Sequence, residues 1–262
     1  MKSYLKIYAR LLKMNFNVLL AYRIGFLNSV VGSIGWALFQ IISIYLLTSR
    51  NTSFYGWSRE QLILLGAIFN IFVGIFHAVF SRNFGRFSQI MNRGEFDLLL
   101  VKPVDPQFLT SLWWFSYSSL VRILIGAGFV VYLFNIMHMV LTFLSVIKFI
   151  VLIGFGICIL YAVWLLVCTL IIWQTNLSNL VDFLYTINIV IRYPREMFQT
   201  ANPVVFYFLL PLTFVIITPT KALLGNMSYV DLFGLIFFAV VFLFISRKFW
   251  NFALRFYTSA SS

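Results

Sequence analysis

The string NRGEFDLLLVKPVDPQF (92–108) gathers three of the chain's seven acidic residues, Glu95, Asp97 and Asp105, beside Arg93 and Lys102. Long apolar runs lie on both sides of it. Carboxylates set between apolar residues can pair with Arg or Lys of a partner while the apolar side chains fill a groove on it. The same composition also suits an ordinary solvated loop. Catalysis is a poorer fit, because no Ser/His/Asp set or carboxylate pair is arranged for it. No Gly-x-x-x-x-Gly-Lys-Ser/Thr phosphate loop occurs, so the chain is expected to bind no ATP of its own.

Other residues with chemical potential stand alone. Arg122 falls inside an apolar run, where a charge costs about 2.5–3.5 kcal/mol on insertion scales. It needs a carboxylate, carbonyls or a wet cavity, and Asp182 is a candidate partner. Such a pair can fix helix packing, the Arg can line a substrate path, or the span boundary lies elsewhere than the apolar run suggests. His77 and His138 have no ligand partners at helical spacing, so no metal is assigned. Cys158 and Cys168 lie ten residues apart in one apolar run, about 15 Å along a helix and too far for a disulfide.

The elements that must carry these residues follow from composition. Of the 262 residues, 62% are hydrophobic and 10% charged, against about 25% charged in soluble domains. With a mean hydropathy of +0.96, the chain needs lipid as its solvent. Backbone polar groups in lipid are satisfied only in helices or closed barrels, and long unalternating apolar runs select helices. The net charge of +12 lies mostly beside these runs, so it reads as membrane orientation rather than nucleic-acid binding.

Six runs approach the roughly 20 residues that a spanning helix needs: 24–47, 62–80, 109–134, 143–173, 180–191 (short) and 230–245. A seventh apolar stretch, 204–220, holds Pro211 in its middle and Pro219 at its end, which predicts a broken or re-entrant helix rather than a span. Residues 1–17 place Lys2, Lys6, Arg10 and Lys13 on one face and Leu5, Tyr8 and Leu12 on another, an amphipathic helix suited to an anionic leaflet. Those basic residues also break up the first apolar stretch, so no cleavable signal is expected. With six spans, twelve Lys and Arg fall on the side of both termini and of 82–108, against six on the other side. The positive-inside rule then makes both termini and the opening string cytoplasmic. Gly25, Ser29, Gly32, Ser33 and Gly35 in the first span allow close helix approach, within the subunit or against a second one. Tyr, Trp and Phe near the span ends form an interfacial belt.

NRGEFDLLLVKPVDPQF resembles the cytoplasmic motif of type-2 ABC transporter permeases, with Arg93, Gly94, Glu95, Asp97, Lys102 and Pro103 in the matching places. AYRIGF (21–26), RYPREMF (192–198) and LPLTFVIITPTKALLG (210–225) are similar to other segments of that family, in order and over nearly the whole chain. The resemblance implies an all-α polytopic membrane protein, one permease domain over 1–262 with six transmembrane helices and cytoplasmic termini. It implies an N-terminal interfacial helix, a cytoplasmic coupling helix within 82–108, and a broken re-entrant hairpin over 192–226 containing Pro194, Pro203, Pro211 and Pro219. It also implies a second permease subunit, identical or sister, and a cytoplasmic ABC ATPase dimer that carries the ATP and Mg, in a bacterial cell membrane and working as an exporter. Neither nucleic acid nor a cofactor of the chain's own is expected. A secondary transporter or channel is the competing reading, but it calls for inverted repeats or several intramembrane carboxylates. A lipid-modifying membrane enzyme lacks a catalytic constellation.

Overall fold

A computed structural model describes residues 2–49, 53–173, 179–198 and 203–258; the first residue of the 1–17 stretch and residues 199–202 of 192–226 lie outside them. Helix α1 (Lys2–Ala21) is amphipathic as expected and longer than 1–17. It meets α2 (Arg23–Leu47) at Tyr22. A two-residue antiparallel ribbon, Ser53–Phe54 with Trp57–Ser58, leads into α3 (Arg59–Phe76). There Ser58 and Gln61 close a reciprocal capping box, which satisfies two free backbone donors at the helix start. A π turn (His77–Ser81) and α4 (Arg82–Asn92) continue the same helix. The polar piece RNFGRFSQIMN thus extends the second span instead of forming a separate surface helix.

The third span starts later than the apolar run suggested. Short helix α6 (Pro106–Leu112) ends before Trp113, a 3-10 turn covers Tyr117–Ser119, and α7 (Leu120–Ile136) follows. The break is held by the π turn and its neighbour. Asn83 donates to the Trp114 carbonyl at 2.8 Å and accepts from the Trp114 N–H at 2.7 Å. The Ser116 N–H reaches the Ala78 carbonyl at 2.8 Å. A π turn shifts the helix's own hydrogen-bond register and exposes such groups, so one irregularity satisfies the other.

Helices α8 (Phe143–Thr169), α9 (Asn179–Ile191), α10 (Pro203–Leu223) and α11 (Tyr229–Arg255) complete the fold. Among the described residues, five helices are long and apolar enough to cross a bilayer. The chain is thus an all-α, multi-pass membrane protein. At thirteen residues, α9 rises only about 20 Å, short of the roughly 30 Å hydrocarbon core. The expected break at Pro211 is not found: α10 runs on through Pro211 and Pro219. An interior Pro costs about 3 kcal/mol. Residues 211–220, all buried, offset this by packing on α8 and α11.

Close helix contact falls at other small residues than those of α2. A Cβ on Gly126 would lie 2.6 Å from the Ala67 carbonyl, and one on Gly156 would lie 2.8 Å from that of Val215. These glycines let α7 approach α3, and α8 approach α10, backbone to backbone. A Cβ at Gly25, Gly32 or Gly35 meets nothing within 4 Å, so that stripe is not a packing seam within this chain.

Candidate functional site: the 93–106 surface

The surface is anchored at both ends. Helix α4 ends at Gly94, whose φ of +68° is a left-handed conformation that glycine adopts freely. The Gly94 N–H bonds the Met91 carbonyl, and the Glu95 N–H bonds the Ile90 carbonyl at 3.0 Å. This pattern is a Schellman cap, and it explains the Gly of the motif. The chain reverses and Phe96 is driven inward. It is fully buried, with ring contacts to Phe87 at 5.5 Å, Tyr257 at 5.1 Å and Trp250 at 6.3 Å.

Helix α5 (Phe96–Leu100) is held by that anchor and turns its other face outward. Leu98 is 68% and Val101 84% exposed, and Glu95 beside them is also exposed. Glu95 approaches Arg93 at 3.8 Å, a loose pair between two exposed groups, which contributes little. Asp97 is half-buried. It accepts a hydrogen bond from Tyr257, and burial first, then this bond, pushes the Tyr257 hydroxyl above its ordinary pKa. The two carboxylates therefore differ: Glu95 faces outward, whereas Asp97 ties the segment to the tail of α11.

The far end is held by ion pairing and capping. Lys102 Nζ lies 4.3 Å from the Trp113 ring centroid, and Pro103 is exposed in the turn that follows. Asp105 caps α6 by accepting from the Gln107 N–H at 2.8 Å, with Pro106 at the first helical position. Its carboxylate also receives Arg247 of α11, at 2.6 and 3.3 Å. Arg247 further donates to Gln107, which donates to the Tyr161 hydroxyl at 2.8 Å. Helix α1 braces the same region: Asn15 donates to the Trp113 carbonyl at 2.9 Å, and the Tyr117 hydroxyl donates to that of Leu12 at 3.0 Å. Together these contacts present Glu95, Leu98 and Val101 on a fixed base, a shape suited to docking.

The other nominated residues lie apart. Arg122 does not meet Asp182. It donates to Gln40 and Asn70, while Asp182 is exposed in the first turn of α9. Asp182 sits exposed at the start of a short helix, and Arg122 is buried in the first turn of α7. Pro194 precedes a 3-10 turn (Arg195–Phe198), and Pro203 is the first residue of α10.

Sequence reasoning missed a charge cluster at the opposite end of the bundle. Asp231, 1% exposed, lies 2.7 Å from Arg195 and 3.7 Å from Lys221. Lys221 is also 3.7 Å from Glu196, which accepts from the Trp57 indole at 3.2 Å. The end of α10 is therefore pinned beside the exit of α9 and the start of α11. Arg195 and Glu196 thus lie beside Lys221 and Asp231. A readable signal existed, since Glu196 and Asp231 are two of only seven acids, each beside an apolar run.

A family model described as "ABC-2 family transporter protein" matches residues 34–261. No curated protein matches the chain, and no solved structure does.

Proposed function

The chain belongs to the ABC-2 family of transporter proteins, and from that membership we propose that it is the permease subunit of an exporter driven by a separate ATPase dimer. The observation that carries the coupling is the outward face of α5. Leu98 and Val101 stand out beside Glu95, on a segment anchored by Phe96 below and by Asp105–Arg247 behind. A small apolar projection on a rigid base can transmit a push; a mobile loop would absorb it. ATP and Mg would act on the partner, whose movement reaches α4 and α11 through this segment. The spans would then alternate between inward and outward access, with a second permease, identical or sister, completing the pathway.

In the proposed orientation both termini and the 93–106 surface are cytoplasmic. The segment 192–226, with Pro194, Pro203, Pro211 and Pro219, then forms an extracytoplasmic excursion that does not emerge on the far side. The Asp231 cluster supports this, because it joins both ends of the excursion.

The test is energy source. Proteoliposomes holding the chain with its copurifying ATPase should move cargo only with ATP present and a hydrolysis-competent partner. Transport that follows a proton or sodium gradient without ATP would favour a secondary transporter instead.

A further inference from the structure

Arg122 is 4% exposed and sits in the first turn of α7. Both of its hydrogen bonds leave from Nη2, to Gln40 Oε1 at 3.2 Å and to Asn70 Oδ1 at 3.4 Å. Asn70 is itself held, its amide nitrogen donating to the Ala37 and Gly66 carbonyls, which leaves its oxygen for the guanidinium. These are neutral acceptors. Nε has no partner, and among the described residues Arg122 joins no ion pair. A guanidinium withdrawn from water is poorly compensated by two amide dipoles.

The unmatched charge borders an open cleft of about 540 Å³ between α2 and the π and 3-10 turns. His77, Ser118 and Ser119 line it with Arg122 on one side, and Ser33 and Trp36 on the other. The guanidinium, the imidazole and the Ser33 hydroxyl can donate into it, while the Ser119 hydroxyl donates to Ser116, and no carboxylate lines the cleft. Its wall is open at Gly32, where an added Cβ meets nothing within 4 Å. On the cleft side of the same helix Trp36 and Phe39 are 59% and 57% exposed, an apolar track beside a cationic cleft. In a membrane protein that track meets acyl chains.

We propose that this cleft binds the anionic headgroup, a phosphate or carboxylate, of a membrane-borne amphiphile, with Arg122 as its counter-charge and the exposed face of α2 along its tail. The amphiphile is the class of cargo that the exporter reading leaves open. The cargo role rests on that reading, but the binding does not, since it requires no ATPase.

Binding is therefore measured on the full chain alone, in nanodiscs of zwitterionic phosphatidylcholine, with dodecyl phosphate as the probe. Native mass spectrometry reads the fraction of chain that retains it. Charge-assisted hydrogen bonds of this kind are worth roughly a tenfold or greater change in affinity. Arg122→Gln should thus lower retention by at least about tenfold, while Arg122→Lys keeps most of it. Gly32→Trp, whose Cβ meets nothing within 4 Å and whose indole occupies the open cleft, should abolish retention at an unchanged melting temperature. This variant carries the test by itself if Arg122→Gln does not fold. Dodecanol should not be retained, and millimolar inorganic phosphate should not displace the probe. Equal retention by wild type, Arg122→Gln and Gly32→Trp overturns the proposal. Equal retention of dodecanol shows a merely apolar groove, and displacement by phosphate at the probe's own concentration shows a free-anion site; each also overturns it. So does a wild-type dimer that Arg122→Gln dissociates with retention unaffected, since a second copy would then supply the missing carboxylate. ATP-driven transport without probe retention would sink this inference and leave the exporter reading standing; retention without ATP-driven transport would do the reverse.

Discussion

Arg247, near the end of the last helix, grips Asp105, the cap of α6, at 2.6 Å across 142 positions of sequence. Through this pair the C-terminal helix holds the far end of the surface that begins at Gly94. The pair is partly exposed, with side chains 45% and 29% accessible, so its own contribution is on the order of 1 kcal/mol or less. Asp105 has a second task as helix cap, worth about 1 kcal/mol. Asp105→Ala should therefore lower the melting temperature of the solubilised chain more than Arg247→Ala does. Equal melting temperatures for both variants and the wild type would mean that neither contact holds the segment.

A larger loss is expected at the other end of the bundle. Asp231 is buried and faces both Arg195 and Lys221. Taking the carboxylate away leaves two cations sharing Glu196 alone, and breaking a buried pair costs about 3–5 kcal/mol. Asp231→Asn keeps the shape and removes the charge. Thermal unfolding should show a far greater loss for it than for Glu95→Ala, whose exposed side chain predicts an effect within about 0.5 kcal/mol. Similar melting temperatures for the two would remove the cluster from the account.

Tyr257 makes a pH test possible. Its hydroxyl pKa is raised above 10.0 by burial and by the bond to Asp97. Below pH 10 the phenol is protonated in folded and unfolded chains alike, and its stabilisation is complete. As the pH rises past 10 the unfolded chain ionises first, so stability falls until the folded pKa is passed. Tyr257→Phe should flatten this alkaline loss relative to wild type. Identical pH–stability curves above pH 10 would show that the contact does not couple to folding.

Sidedness has its own test. Cysteine placed at Ser145, in the first turn of α8, should react with an impermeant thiol reagent in intact cells. Cysteine placed at Asn251 or Leu98 should react only after permeabilisation. Labelling of Leu98→Cys from outside would reverse the orientation.

The spans were legible because a bilayer demands long apolar helices: α2 and α8 follow their runs within a few residues, whereas α11 continues past its run to Arg255. Gly94 and Pro103 could be found as motif residues, but not the reason for the glycine, which lies in the Schellman cap. The start of the third span was hidden: residues 109–116 read as part of the apolar run, yet hydrogen bonds between Trp114 and Asn83 and from the Ser116 N–H to the Ala78 carbonyl break the helix there. Pro211 misled in the other direction, since tertiary packing carries α10 through a residue that disfavours helix. Arg122 and Asp182 were the only intramembrane charges that hydropathy singled out, and charge alone cannot give the direction in which helices turn. Asp97 looked equivalent to Glu95 until the fold placed Tyr257 against it.

The most direct test of coupling is at Leu98 and Val101, which project from α5 and touch no part of the chain's core. Leu98→Asp with Val101→Asp leaves Phe96, Gly94 and the Asp105–Arg247 pair in place. The account predicts normal membrane insertion and an unchanged melting temperature, at least a tenfold drop in copurifying ATPase, and loss of ATP-driven transport. An undiminished yield of bound ATPase together with wild-type transport would contradict it, and the 93–106 surface would then not be where the ATPase docks.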